Sequence, residues 1–187
     1  LVTTGATEAI SLSLRAVTKP GDVVAIESPT FFFFLDMIRS MGLKVQEIAT
    51  AADTGMNLEA LEKAMKQKQI RVILLVSNFP NPLGTLMPLG NKRRLVELAR
   101  QYNVTVIEDD IYGDLSFDGS RPTSIRAFDD GNTVITLGSF SKTISPGLRV
   151  GWCVPGEHMA AVMDLKLTTD HASATLPQLL VATYLEQ

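Results

Sequence analysis

The chain has 187 residues, with 17 Lys or Arg, 20 Asp or Glu and a formal net charge of −3. No basic cluster indicates a nucleic-acid surface in this segment, and no apolar run approaches the ~18 residues of a membrane-spanning helix. The single cysteine, Cys153, excludes an internal disulfide and fits a reducing compartment, so we expect a cytoplasmic protein. His158 and His171 have no ligand-spaced partners, and we assign them neither a metal nor a catalytic role.

Helical and strand-like patterns alternate along the whole chain. Helical patterns cover residues 9–17, 31–41, 58–68, 88–102 and 157–167 and resume at 175. Apolar runs between them cover residues 23–27, 43–48, 72–76, 104–108, 132–137 and 150–154. This alternation predicts an α/β fold with a mainly parallel sheet. Asn57 is placed to cap the third helix.

The first helix follows the turn Gly5-Ala6-Thr7. Free amides at a helix N-terminus attract anions, so the turn is a candidate phosphate site. The alternative is a simple helix cap at Thr7 without a ligand. Further on, Phe31 opens a run of four phenylalanines, which would cover all sides of a helix start, so some of them must be core.

Polar residues follow two of the apolar runs. Asn81 lies in the loop after residues 72–76, and Asp109, Asp110 and Tyr112 follow residues 104–108. Open α/β sheets bind ligands at the carboxyl ends of their strands. The alternatives are a turn at Asn81-Pro82 and a polar acidic loop that ends a strand, which is our interpretation of Asp110. A buried Asp109 without a partner would be costly, so that residue predicts a bound group beside it.

Lys142 lies in a loop between two predicted strands, flanked by Ser139, Ser141 and Arg149. A lysine amine can form a Schiff base with an aldehyde, and the hydroxyls with the arginine would suit a phosphate. An aldehyde that carries a phosphate suggests pyridoxal 5′-phosphate (PLP). The alternative is an ordinary surface loop with a solvated lysine.

The stretch Ser-Phe-Ser-Lys followed by Pro-Gly-Leu-Arg-Val-Gly-Trp, residues 139–152, resembles the lysine segment of fold-type I PLP enzymes of aminotransferase class I/II. It looks most like the aminotransferase-like domain of MocR-type regulators of the GntR family, and is also similar to kynurenine and aminoadipate aminotransferases. The resemblance covers nearly the whole chain, with the motifs in family order. Leu83 and Phe79 depart from the usual pattern, in which a threonine and a polar residue are common.

The resemblance implies a three-layer αβα fold with a mainly parallel seven-stranded sheet that contains one antiparallel strand. It also implies a phosphate-binding set of Gly5, Ala6, Thr7, Ser139, Ser141 and Arg149. Phe31 would stack on the pyridine ring, and Asn81 and Tyr112 would bind the phenolic oxygen. Asp109 would keep the pyridine nitrogen protonated. Lys142 would hold PLP as a Schiff base and then move a proton as general base and acid.

By this resemblance the protein is a PLP-dependent aminotransferase that moves an amino group between an amino acid and a 2-oxo acid. The alternative is an effector- or PLP-sensing domain of a MocR-type regulator whose DNA-binding domain lies upstream. Another PLP chemistry, such as a β-lyase, would use the same internal residues.

The resemblance also implies a homodimer. We expect residues 1–187 to be the central large domain of a longer protein, without the N-terminal segment and the small C-terminal domain, and to have little turnover alone.

Overall fold

The computed structural model describes residues 1–67, 69–130 and 133–187, and an eight-stranded sheet runs through them. The strands are β1 (Val2–Thr3), β2 (Val23–Ser28), β3 (Lys44–Ala51), β4 (Gly55–Met56), β5 (Ile70–Leu75), β6 (Thr105–Asp109), β7 (Val134–Ser139) and β8 (Gly151–Val154). The helices are α1 (Gly5–Val17), α2 (Phe32–Ser40), α3 (Leu58–Gln67), α4 (Leu89–Tyr102), α5 (Met159–Thr169) and α6 (Thr175–Leu185). Lys68 and Asn132, which the patterns assigned to a helix and a strand, lie outside the described residues.

The strand order is β1-β8-β7-β6-β5-β2-β3-β4. Strands β7, β6, β5, β2 and β3 are parallel to one another, and β8 is antiparallel to both of its neighbours. The seven strands from β1 to β3 therefore form the expected sheet with one antiparallel member. The predicted count of seven is wrong by one, because the two-residue β4 adds an antiparallel edge strand beside β3. Two residues are too few to show a strand period in a sequence.

The sheet separates two apolar cores, which explains why its central strands are apolar on both faces. The side chains of α1 and α2 pack in one core, and those of α3 and α4 pack in the other. Helix α5 packs against α1. The molecule thus has the three αβα layers that were predicted. None of the helices in the described residues is long and apolar enough to cross a membrane.

Most element boundaries agree with the patterns to within a few residues. The first helix is an exception, since it begins at Gly5 rather than near residue 9. Its N-cap is Thr4, so the alternative of a cap at Thr7 is wrong. The Asn57 cap is confirmed, because Asn57 Oδ1 accepts the Ala60 N–H at 2.9 Å.

Candidate active site

Three adjacent parallel strands bring the predicted residues to one edge of the sheet. Strand β6 ends at Asp109, β7 ends at Ser139, and the loop after β5 carries Asn81. A cavity of about 270 Å³ opens at this edge. Its wall contains every predicted site residue except Gly5, namely Ala6, Thr7, Phe31, Asn81, Asp109, Tyr112, Ser139, Ser141, Lys142 and Arg149. Gly5 lies immediately behind, in contact with the Arg149 side chain.

Asp109 forms the floor of the cavity. Its Oδ1 atom is buried and has no hydrogen-bond partner in the described part of the chain. Burial raises the pKa of Asp109 to about 7, and the negative charges of Asp110 and Glu108 act in the same direction. A positively charged N–H donor beside Oδ1 would satisfy this oxygen and lower the pKa again.

Tyr112 and Asn81 both line the cavity, and the Asn81 side chain lies near the tyrosine hydroxyl. Burial raises the pKa of Tyr112, and the nearby charge of Asp109 raises it further. Tyr112 therefore stays a neutral hydroxyl that can donate a hydrogen bond. The Lys142 Nζ atom lies 5.9 Å from the centre of the Tyr112 ring, within the range of a cation–π contact.

Arg149 connects the residues at the anion-binding end of the cavity. Its Nη1 donates to Ser141 Oγ at 3.3 Å and to the Pro146 carbonyl at 3.2 Å, and its Nη2 lies 3.4 Å from the Thr4 carbonyl. The Ser141 N–H donates to Ser139 Oγ at 3.1 Å. The guanidinium and the two serine hydroxyls thus form one cluster of donors, which suits a phosphate group.

The start of α1 completes this end of the cavity. Gly5 has a φ of 77°, a left-handed conformation that glycine adopts without strain. No side chain caps the helix, so its first amides remain available to an anion. Glu8 Oε2 accepts a hydrogen bond from the Thr4 N–H at 2.6 Å, which stabilises this turn.

The aromatic run divides between core and cavity. Phe34 is buried, with 2% of its surface exposed, whereas Phe31, Phe32 and Phe33 are 36%, 66% and 38% exposed. Phe31 lines the cavity as predicted, and Phe33 and Phe34 line it too. In the sequence, only the run of four phenylalanines pointed to Phe33 and Phe34, and the run did not indicate which rings would face a ligand.

Further lining residues were not predicted. The apolar wall also includes Ile10, Val76, Ile111 and Pro146. Ile111 could have been inferred from its place between Asp109 and Tyr112 on one turn. Leu83 and Phe79, the two departures from the family pattern, do not contribute to the cavity wall.

Asp110 directly follows the end of β6, as the interpretation of a polar acidic loop expects, but the residue is buried. Asp110 is only 4% exposed, and its carboxylate accepts hydrogen bonds from Asn78 at 2.8 Å and Arg121 at 2.5 Å. The physical reason is that these donors satisfy the charge when the turn folds over the end of β6. Cys153 is fully buried and belongs to the apolar core on the side of the sheet that carries α1.

Comparison with known proteins agrees with this geometry. The family model "Aminotransferase class I and II" matches residues 1–186. The chain is 42% identical over 184 residues to the uncharacterized HTH-type transcriptional regulator YjiR of Escherichia coli, covering 98% of this chain and 39% of that protein. It is 31% identical over 192 residues to aromatic-amino-acid aminotransferase 1 of Thermococcus litoralis, covering 100% of this chain and 46% of the enzyme.

Among solved structures, the chain resembles LysN, the α-aminoadipate aminotransferase of Thermus thermophilus, which was crystallised with N-(5′-phosphopyridoxyl)-L-leucine. The TM-score is 0.92 at 33% identity, and the match covers 100% of this chain and 49% of LysN. The chain thus spans less than half the length of these relatives. Because the family model covers nearly the whole sequence, the chain belongs to the aminotransferase class I and II family.

Proposed function

We propose that this chain binds PLP through Lys142 and belongs to a protein that transfers amino groups between an amino acid and a 2-oxo acid. The observation that carries the proposal is the unpartnered Oδ1 of buried Asp109 in a cavity that also contains Lys142 and a phosphate-sized cluster of donors. PLP presents a pyridine nitrogen, an aldehyde and a phosphate, and the cavity offers a complement to each. The residues present therefore fit the cofactor.

Each residue would hold a different part of the cofactor. The guanidinium of Arg149, the hydroxyls of Ser139 and Ser141 and the first amides of α1 would bind the phosphate. Asp109 would accept a hydrogen bond from the pyridine N–H, and Phe31 would cover one face of the ring. Lys142 Nζ would hold the aldehyde carbon in a C=N bond, with the aldehyde oxygen leaving as water, until a substrate amine takes its place.

Bound PLP supplies an electron sink for the pair of electrons that is left when the Cα–H bond of an amino acid breaks. Asp109, as a carboxylate, would hold the proton on the pyridine nitrogen and so maintain that sink. Tyr112 and Asn81 would donate hydrogen bonds to the phenolic oxygen. Lys142 Nζ would take the proton from the substrate Cα and deliver it to the cofactor carbon C4′, acting first as a base and then as an acid.

The test is an absorbance titration of the 187-residue chain with PLP. PLP also reacts with surface lysines, so Lys142→Ala is compared with Lys63→Ala, which removes an exposed lysine of α3. Reduction with borohydride and peptide mass spectrometry then locate the modified lysine. We expect a visible band and modification at Lys142 in the wild type and Lys63→Ala, and neither in Lys142→Ala. Modification spread evenly over surface lysines would refute the proposal.

A sensing function is the second candidate, supported by the 42% identity to an HTH-type regulator. The two functions differ in what happens after an amino acid is added to the PLP-loaded chain. A transferase consumes the visible band and releases a 2-oxo acid, whereas a sensor changes the spectrum without releasing one. We expect slow or no turnover from residues 1–187 alone, and rapid release of 2-oxo acid would contradict that expectation.

We also propose a homodimer. Helix α6 exposes several large apolar side chains, which need a covering surface. They are Leu176, Leu179, Leu180, Tyr184 and Leu185. Light scattering after gel filtration would measure the mass, and a monomer at all concentrations would contradict this proposal for the 187-residue chain.

A further inference from the structure

Lys92 is a lysine with no exposed surface. It lies in the first turn of α4, and its Nζ donates to the Asn78 side-chain Oδ1 at 2.6 Å and to the Thr123 carbonyl at 2.5 Å. Both acceptors are uncharged. Lysine is almost never fully buried, because the loss of hydration disfavours its charge. A buried ammonium with these partners therefore calls for a structural or functional reason.

The hydrogen bond from Lys92 fixes the orientation of the Asn78 amide. An ammonium group can only donate, so Asn78 must turn its oxygen toward Lys92 and its Nδ2 in the opposite direction. That nitrogen donates to Asp110 Oδ1 at 2.8 Å. The ammonium and the carboxylate therefore favour the same orientation of the amide, and Asn78 connects the two groups.

Asp110 is held on its other side as well. Its Oδ2 accepts from Arg121 Nη2 at 2.5 Å, and its backbone N–H donates to the Leu137 carbonyl on β7 at 2.9 Å. The carboxylate also packs against Gly113, where a Cβ atom would come within 2.6 Å of Oδ1. Asp110 is therefore fixed in place, and a shift of Asn78 would also move the turn that contains Asp110.

These two residues belong to the segments that carry the candidate site. Asn78 is three residues before Asn81, and Asp110 lies between Asp109 and Tyr112. The loop around Asn78 is closed by backbone hydrogen bonds from Phe79 to Thr85 and from Met87 to Ser77. A shift of Asn78 would accordingly move the loop as a unit, with Asn81 in it.

We propose that Lys92 is a positioning residue that holds the Asn81 loop and the Asp109–Tyr112 turn in register through Asn78 and Asp110. The functional part of this inference rests on the proposed PLP site. Lys92 lies near the carboxylates of Glu108 and Asp110, and Arg121 is paired with Asp110, so these cations offset negative charge close to Asp109.

Lys92→Met tests the inference, because methionine has a similar length and cannot donate. Hydrogen exchange of the PLP-free chain is measured by mass spectrometry for peptides covering residues 77–86 and 109–113. We expect exchange in both to accelerate by about tenfold, the effect of losing one buried hydrogen bond. Val96→Ala, a core truncation on the same helix outside the hydrogen-bonded network, is the control for general destabilisation. Unchanged protection of both peptides in Lys92→Met would overturn the proposal.

A second variant keeps the test decisive if Lys92→Met does not fold. Asn78→Asp leaves Lys92 with an acceptor and preserves the side-chain shape, but it sets a carboxylate against Asp110. The same acceleration of exchange is expected, and its absence would equally overturn the proposal.

A spectroscopic measurement separates positioning from stability. In the PLP-loaded chain, Lys92→Met should shift the pH midpoint of the visible band, because Asn81 and Tyr112 would contact the phenolic oxygen of the cofactor. Val96→Ala should leave the midpoint unchanged. An equal midpoint in Lys92→Met and wild type would overturn the functional part. If the wild type shows no band at all, the proposed PLP site fails, while hydrogen exchange still decides whether Lys92 joins the two segments.

Discussion

The side chain of Arg149 lies directly against the α-carbon of Gly5, so that a methyl group at residue 5 would come within 2.5 Å of Nη2. Gly5→Ala should therefore displace the guanidinium from the anion-binding end of the cavity. The positive φ of residue 5 adds a backbone penalty of about 1–2 kcal/mol. We expect a PLP dissociation constant at least about tenfold higher, measured by absorbance titration.

Gly90→Ala is the matched control for this change. Gly90 lies in α4 with no atom within 4 Å of its would-be Cβ, so alanine there should stabilise the helix by about 0.5–1 kcal/mol. Urea unfolding measures both stabilities. Unaltered PLP affinity in Gly5→Ala would show that Arg149 and Gly5 do not form an anion site together.

The pKa of Asp109 predicts how stability depends on pH in the PLP-free chain. Burial raises this pKa from 3.8 to about 7, so the folded chain keeps a proton that the unfolded chain has lost. The contribution of Asp109 to the free energy of unfolding is complete below about pH 4 and is lost as the pH rises to about 7. The free energy of unfolding changes by up to ~1.4 kcal/mol per pH unit in this range. Asp109→Asn should remove this contribution, so the variant should be more stable than wild type at pH 8.

Glu27 adds a contribution of the same sign, because burial raises its pKa to about 7 as well. The slope should therefore become smaller in Asp109→Asn without vanishing. Urea unfolding at a series of pH values gives the difference between wild type and variant, which isolates Asp109. A difference that is constant with pH would contradict the assigned protonation.

The proximity of the Asn81 side chain to the Tyr112 hydroxyl predicts an energetic coupling. Tyr112→Phe and Asn81→Ala each remove one partner, and the double variant removes both. We expect a coupling of about 0.5–1.5 kcal/mol in a double-mutant cycle of unfolding free energies, and a PLP dissociation constant about tenfold higher in each single variant. Strict additivity of the unfolding energies would mean that the two side chains do not interact in solution.

The Cys153 thiol should be unreactive in the folded chain. It is fully buried, its Sγ lies 3.6 Å from Ser13 Oγ, and burial raises the pKa of its thiol. We expect its reaction with a disulfide reagent to be at least about a thousandfold slower than in denatured protein, since the thiol reacts only after unfolding. Fast labelling in native buffer would show that β8 opens locally.

Much of the arrangement around the cavity follows from a simple rule of parallel strands. Polar residues that end neighbouring strands, such as Asp109 and Ser139, must share one edge of the sheet. The alternation of helices and strands predicted the mainly parallel sheet, whereas the three layers were implied by the family resemblance. The presence of the eighth strand and the direction in which each phenylalanine side chain points depend on contacts between distant segments. No local sequence pattern encodes those contacts.

The buried hydrogen-bond network around Lys92 also depends on contacts between distant segments, which the local sequence does not predict. Its partner Asn78 is 14 residues away, and Asn78 reaches Asp110 across a further 32 residues. A usable signal did exist, since Lys92 shares one helix face with Leu95, Val96 and Ala99, which are all buried. A lysine in an apolar helical stripe is thus a reason to look for a polar cluster below it.

The first strand of the chain pairs with its last, Val2 opposite Trp152. Arg149 and Thr4, which meet at the phosphate end of the cavity, are 145 residues apart in sequence. During synthesis this end of the cavity cannot form until the segment from Thr4 to Arg149 has emerged, and its closure carries the entropic cost of a long loop. Retention of PLP would therefore report that these two distant segments have met, and the cofactor would stabilise only the state in which they are joined.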